Sequence, residues 1–460
     1  MNTQRIGRIA FESSSSELNQ AFNWAKRQAL SYAHIDGPAG PWYEAALPGR
    51  DAFCMRDVAH QSTGAHLLGL QEHNKNMLRQ FARHISQGKD WCTYWEITKE
   101  GLPASVDYDN DKDFWYNLPA NFDLIDCCLR QYQWSGETDY IEHPEMNQFY
   151  DRSVNDYVER WDKDGDGVPE HYASYGRRGI ASYVEDGLHP LVGGDLVAAL
   201  YAGYRAYSTI QLLRGHKELA AEFAAKASNI SRLYNDTWWN EQAGRFYGAI
   251  MQDHSPYSDY YATAHFLPLY FGLVEKDLHM DAALRDVVKH GGNNVEERSY
   301  LAEIYYNHGL EETAYSALLE LSSPRTSRRS YPEVSYSIIS SLFTGMMGIV
   351  PDAANRVLAT LPRLDPIQWC SGMNIPVWNN EINLSHLNNR QSALENVSGD
   401  AFVWEARFPG ERSTLFVDGV EREATTTQDR HYGSISSIRL HVEPGQKIVV
   451  GIVNIPKESV

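Results

Sequence analysis

The sequence predicts a mainly α protein: a closed ring of six helical hairpins, an (α/α)6 barrel, followed by a small C-terminal antiparallel β-sandwich. Two patterns carry that prediction. First, six segments are apolar or small all round once past their first turn, as helices buried along their length must be. Residues 48–70 (PGRDAFCMRDVAHQSTGAHLLGL) set the type, with an Arg56-Asp57 pair followed by no further charge until Glu72. The signature returns at 118–134, 194–213, 257–274, 297–308 and 334–350. Second, amphipathic helices lie between these segments. In 142–161, for example, Met146, Phe149, Tyr150, Val154, Tyr157, Val158 and Trp161 form one stripe and charges fill the opposite face. Outer helices can cover inner ones in this alternation only around a common axis.

Taken in order, residues 1–16 (MNTQRIGRIAFESSSS) read as a strand and a Ser-rich connection, 17–365 as the barrel, and 366–460 as the β-sandwich domain. A chain of 460 residues exceeds what one core usually organises, so a barrel with an appendage is the natural division. Past Pro362 the helical periodicity gives way to β-branched and aromatic alternation with Gly and Pro punctuation, as in AFVWEARFPG and IRLHVEPGQKIVVGI. Within the barrel, the loops leading into the inner helices (34–56, 89–117, 162–193, 240–256, 291–296 and 322–333) are long and rich in Trp, Tyr, Asp, Glu and Arg. The returns to the outer helices are short. All six long loops are therefore expected at one mouth of the barrel, where function would sit.

The formal charge of −19 excludes a nucleic-acid or anionic-membrane surface, either of which needs Lys and Arg to replace counterions. No apolar stretch of signal-peptide form opens the chain. Segment 334–350 is shorter than a bilayer span and contains Ser, Thr and Gly, so it reads as a core helix. Five cysteines, with Cys127 and Cys128 adjacent and no CxxC, fit neither a disulfide framework nor a zinc site. They suit a reducing cytosol, or a chain whose leader has been removed.

Aromatic residues make up 12% of the chain, and the mouth loops hold Trp42, Trp91, Trp95, Trp115, Tyr175, Tyr257 and Tyr331. Flat rings beside carboxylates and guanidinium groups suit an oligosaccharide, because a pyranose offers an apolar C–H face and a rim of hydroxyls. Any one of these rings is explained by packing; their concentration is what points to sugar. Chemistry on a glycosidic bond needs two carboxyl groups, one acid and one base or nucleophile. The candidates are Asp57, Glu96, Asp107, Asp109, Glu185, Asp186, Glu296, Glu297 and Glu333. Glu185 lies in SYVEDGLHPLVGGD, a loop with few neighbouring charges, where loss of water would raise a carboxyl toward a general acid's range. Glu333 lies in SRRSYPEVSYS, directly before the last buried helix, a place that suits a general base.

With these residues in view, the chain resembles the six-hairpin glycosidases, and within them the catalytic core of glycoside hydrolase family 78, the α-L-rhamnosidases. The resemblance spans roughly residues 15–460. Its strongest piece is EVSYSIISSLFTGMMGIVPDAANRVLATLPRL, which is similar to that family's closing helix, its G-I-x-P-D turn and its P-R-L lead into a C-terminal β-sandwich. A second piece is Arg56-Asp57, since an R-D pair opening an inner helix holds hydroxyls of the terminal sugar in related clans. The R-x-D-E-R and G-W-x-G-D runs of true rhamnosidases are absent, and YVEDGLHPLVGGD stands in the comparable place. The resemblance implies exo-acting, inverting hydrolysis with Glu185 as acid, Asp186 as the substitute acid, and Glu333 as base. It also implies a sugar held by Arg56 and Asp57; Trp95, Glu96, Asp107 and Trp115 of the mouth loops are read from their composition as further sugar ligands.

The Arg pairs Arg177-Arg178 and Arg328-Arg329 read either as loop ion pairs or as ligands for an anionic sugar, since Arg matches carboxylate and sulfate bidentately. Arg177 and Arg329 are accordingly candidate sugar ligands, and His254 of the mouth loops is a third. A polysaccharide lyase or unsaturated-uronide hydrolase on the same toroid would use Tyr175, His254 and Arg177. A catalytically silent sugar-binding protein is the third reading. No cofactor is required by any of them. WDKDGDGVPE offers Asp162, Asp164 and Asp166 at calcium-loop spacing but without the closing Glu of an EF-hand. His60 and His66 are six residues apart, too far to share a helical face as a metal pair, and read as core histidines.

Overall fold

The computed structural model describes residues 6–185 and 187–454. Among the described residues, twelve of the helices alternate between an outer and an inner ring. The outer ring consists of α1 (Ser16–Ser31), α3 (Gln71–Arg83), α5 (Pro144–Val154), α7 (Lys217–Thr237), α9 (Asp277–His290) and α11 (Glu311–Ser322). The inner ring consists of α2 (Met55–Leu67), α4 (Ala120–Ser135), α6 (Gly194–Leu213), α8 (Thr263–Tyr270), α10 (Leu301–Asn307) and α12 (Pro332–Ser340). The inner helices are buried nearly all round, α2 over every residue but Arg56. The outer ones bury one stripe, as in α3, where His73, Asn74, Met77, Leu78, Gln80, Phe81 and Ala82 face inward. The ring closes where α12 packs on α1 and α2.

Three inner or outer segments are more broken than the hydrophobic pattern predicts. The stripe of 142–161 is buried as expected, but the helix is interrupted at Asn155 (φ −117°, ψ −81°) and resumes at 156–161. The segment 257–274 yields only eight helical residues and contains Pro268, which cannot donate to the helical ladder. The last inner helix runs on through a π-helical turn at 341–346.

The β-sandwich begins earlier than residue 366. Strands β2 (Val350–Asp352) and β3 (Val357–Thr360) already belong to a five-stranded sheet with β7 (Phe402–Pro409), β10 (Thr425–Asp429) and β11 (Gly433–Val442), in the order β2-β3-β7-β11-β10. A seven-stranded sheet has the order β1-β4-β5-β6-β12-β8-β9. Its strands are β1 (Ala10–Ser13), β4 (Trp369–Val377), β5 (Asn380–Leu387), β6 (Gln391–Ser398), β12 (Lys447–Gly451), β8 (Thr414–Val417) and β9 (Val420–Glu423). The N-terminal strand is thus an edge of the C-terminal domain, Ala10 to Ser13 pairing antiparallel with Met373 to Cys370. The inner face of this sheet lies on the far end of the last inner helix. There His386 Nε2 meets Met347 O at 3.1 Å, and Phe11 packs edge-on against Phe343.

The loops that lead into the inner helices lock together. Ala52–Cys54 pairs with Glu96–Thr98, and Val192–Gly193, Ala249–Ile250 and Pro256–Tyr257 form a second small sheet. Asn117 bridges to Ile180. No helix among the described residues is long and apolar enough to cross a membrane. All five cysteines are buried and free.

Candidate active site

A cavity of about 460 Å³ opens among these loops at the N-terminal ends of the inner helices. Its lining brings together Arg56, Asp57, Trp95, Glu96, Asp107, Trp115 and Glu185 from three separate stretches of sequence. One contact network is built on the opening turn of α2. The Tyr331 hydroxyl donates to Asp57 Oδ1 at 2.7 Å, and the Arg56 guanidinium lies 3.6 Å from Asp57 Oδ2 and 3.7 Å from Glu296 Oε2. Arg328 pairs with the other oxygen of Glu296 and covers the Tyr331 ring at 5.1 Å. Burial pushes the Asp57 carboxyl upward, while Arg56 and Tyr331 pull it back.

The second network stands on the small sheet that joins 52–54 to 96–98. That pairing sets Glu96 opposite Cys54, immediately before α2, and Arg50 donates to Glu96 Oε2 at 2.7 Å. Burial pushes Glu96 up to about 7, with Arg50 opposing and Asp107 adding repulsion. Asp107 is itself raised by burial. Glu185 accepts at Oε1 from Trp115 Nε1 at 3.3 Å and from Asn117 Nδ2 at 3.1 Å. The loop that carries Glu185 is pinned from behind by Asp195, the last residue of the GGD run. Asp195 accepts from Ser182 Oγ (2.9 Å), Tyr183 N (2.7 Å) and Thr263 Oγ1 (2.8 Å).

Glu185 sits in the pocket but is exposed, so the desolvation expected of its loop is found instead at Glu96. Asp186 lies outside the described residues. Glu333 is not in a loop: it occupies the first turn of α12, fully buried, against Asp57 and Arg56 just behind the cavity wall. Burial and the neighbouring Asp57 carboxylate push it well above the usual range. Neither of its oxygens has a hydrogen-bond partner among the described residues.

Three expected sugar ligands are absent from the cavity wall. Arg177 is spent on Asp109 (3.5 Å) and Asp113 (3.2 Å), and Arg329 stacks on Trp24 of α1 at 3.7 Å. His254 is exposed on a turn with φ 63°. Arg50, Tyr183 and Asn117 are participants the sequence reading did not single out. Asp162, Asp164 and Asp166 cluster, with Asp162 accepting from Gly165 N at 2.8 Å and Gly167 N at 2.9 Å. His60 bonds Ser299 Oγ at 3.0 Å and His66 meets Pro376 O at 3.2 Å, both in the core.

An inner and an outer ring of helices around a carboxylate-lined mouth define the six-hairpin class of fold. Residues 124–325 match the family model described as the bacterial α-L-rhamnosidase six-hairpin glycosidase domain. Among solved structures it is similar to the α-L-rhamnosidase of Dictyoglomus thermophilum (TM-score 0.64, 14% identity, 97% of this chain and 50% of that one). It is also similar to the family 78 rhamnosidase of Bacillus sp. GL1 (0.63, 12%, 85% and 41%) and to the α-L-rhamnosidase of Aspergillus terreus (0.60, 13%, 96% and 51%). The chain therefore spans about half the length of these structures or less. No curated protein matches it in sequence.

Proposed function

We propose that the chain is a glycoside hydrolase that removes a terminal, uncharged sugar with inversion, Glu185 acting as acid and Glu333 as base. The observation that carries this reading is the state of Glu333. A buried carboxyl with both oxygens unspent calls for an explanation. Its position directly behind Asp57 supplies one: in its ionised form, which Arg56 favours against burial and Asp57, it would take a proton from a water at the cavity floor. Arg56 lies between the Asp57 and Glu296 carboxylates and offsets their charge as that proton arrives. At the rim, Trp115 and Asn117 hold one oxygen of Glu185, which leaves the other to face a leaving group.

An uncharged sugar fits the pocket's own charges. The lining carries Asp57, Glu96, Asp107, Glu185, Glu296 and Glu297 against Arg50, Arg56 and Arg328, an acidic balance that repels a uronate or sulfate. The lyase reading finds no support in the geometry. Tyr175 packs on Trp161 and Arg160, and neither it, His254 nor Arg177 lines the cavity. A pocket at the mouth of a barrel suits attack at a chain end, and an α-L-rhamnoside is the substrate suggested by the family match.

Turnover of a panel of aryl glycosides, rhamnosides included, followed by proton NMR, tests the reading: the first-formed sugar should have the inverted anomeric form. Glu185→Gln should lower turnover of unactivated glycosides by about 100-fold or more and spare substrates with acidic phenol leaving groups. Glu333→Gln should abolish both. A retained anomer, or a fully active Glu333→Gln protein, would end this assignment.

A further inference from the structure

A second cavity of about 460 Å³ lies on the outer face of the seven-stranded sheet. It belongs to the opposite end of the molecule from the mouth, because the inner face of that sheet packs on Phe343 and Met347, past the far end of the helix that begins beside Glu333. Side chains alternate across a strand, so the pairing register shows what the outer face presents. Trp369 stands opposite Leu387; Ser371 opposite Ser385, which in turn faces Ala393; Asn383 opposite Glu395, which faces Lys447. Three rows result. A floor of short side chains runs across the strands, with an indole and a Leu along one side and an amide, a carboxylate and an ammonium along the other.

One wall is open to a ligand and the other is held in place before any ligand arrives. Trp369 is 38% exposed although it belongs to a paired strand, so its ring is available. On the other side, Asn383 Nδ2 donates to Glu395 Oε2 at 2.8 Å. Asn383 Oδ1 accepts from Asn374 N at 3.0 Å, which is held by a bulge in β4 where Asn374 has φ 53°. Along β5 the walls are four residues apart, about 13 Å, and across β4, β5 and β6 the floor runs for about 10 Å.

We infer that this groove is a second, non-catalytic glycan-binding site that takes an uncharged polysaccharide strand. An exposed indole supplies the platform for the C–H face of a pyranose. The row of amide, carboxylate and ammonium supplies donors and acceptors for hydroxyls across the channel. Glu395 and Lys447 are opposite in charge and adjacent in register, so the groove has no net charge with which to select an anion. Held there, a polymer would keep its chain ends near the protein while the barrel mouth works on them.

Native gel electrophoresis of the full chain through gels containing dextran, galactomannan or a rhamnan, with polygalacturonate as the acidic comparison, tests the inference. A neutral polymer should retard the chain, and Trp369→Ala and Asn383→Ala should each weaken that retardation about tenfold. Asp57→Asn, which damages the barrel pocket, should leave it intact, and Trp369→Ala should turn over a small aryl glycoside normally. These last two arms separate failure of the groove from failure of the proposed hydrolysis. The inference is overturned if none of the neutral polymers retards the chain, if Trp369→Ala is retarded as strongly as the unaltered protein, or if Asp57→Asn alone removes the effect.

Discussion

At the residue scale, the site depends on how its carboxyl groups divide the cost of burial. Glu96 is nearly buried, and even with Arg50 bonded to it the loss of water prevails, lifting it from 4.5 to about 7. Between those values the folded chain keeps a proton that the unfolded chain has released, so stability falls as pH rises through that window. The penalty is absent below about 4.5 and complete above about 7, reaching up to about 3 kcal/mol. Glu96→Gln removes the titration. Its melting temperature should therefore decline less between pH 5 and pH 8 than that of the unaltered protein, and parallel declines would show that Glu96 does not titrate there. How legible such residues were depends on whether a local pattern marked them. Asp57 was visible because a lone charge pair opening an apolar helix is itself a pattern. Arg50 and Asn117 had none: each matters only through a carboxylate brought to it from 46 or 68 residues away. The same limit displaced Arg177, Arg329 and His254. Loop composition shows that a residue lies near the mouth, but not which way its side chain turns.

At the scale of elements, period and helix type were readable because burial on all sides leaves a run without charges: each inner helix overlaps its predicted segment, although α4 runs on to Ser135, past 134, and α12 begins at Pro332, before 334. Their lengths were not readable. The residues around Pro268 are apolar whether or not they are helical, and the pattern is blind to a break that keeps the same face inward. Close approach between inner helices is set by small residues. A Cβ at Gly64 of α2 would come within 2.2 Å of the Tyr336 carbonyl oxygen on α12, and one at Gly203 of α6 within 2.8 Å of Phe122 on α4. The Tyr336 neighbour is backbone and cannot rotate away. Gly64→Ala should accordingly cost about 3 kcal/mol, despite alanine's better helix propensity, by prising α2 from α12 at the seam where the ring closes. Thermal unfolding followed by circular dichroism would read this as a fall of several degrees. An unchanged or raised melting point would mean that the seam has slack, and that the two helices are not held at this distance.

At the scale of the whole molecule, the β-sandwich is less an appendage than the sequence division implies. The buried apolar cluster runs without interruption from the barrel helices into both sheets. Polar stitches cross the same boundary: Trp378 donates from Nε1 to Gln133 O at 2.8 Å and from its backbone to Trp134 O at 2.7 Å, and the Tyr432 hydroxyl donates to Glu311 at 2.8 Å. Even the first strand, β1, is shared, since it leads into α1 yet pairs with β4. Sequence composition marks where helices give way to strands, but a continuous core leaves no trace in composition. Domains with separate cores melt separately, whereas elements sharing one core melt together. Scanning calorimetry should therefore show a single transition for the full chain. Trp378 is 5% exposed and packs on Phe402 at 5.8 Å while its indole caps α4. Replacing it with Ala removes a buried ring at this joint and should cost about 3 to 5 kcal/mol. If the core is common to both parts, Trp378→Ala shifts the one transition downward and leaves it single. If the substitution instead splits the trace, with a sandwich transition that moves and a barrel transition that stays, the two parts are independently stable and the joint only tethers them.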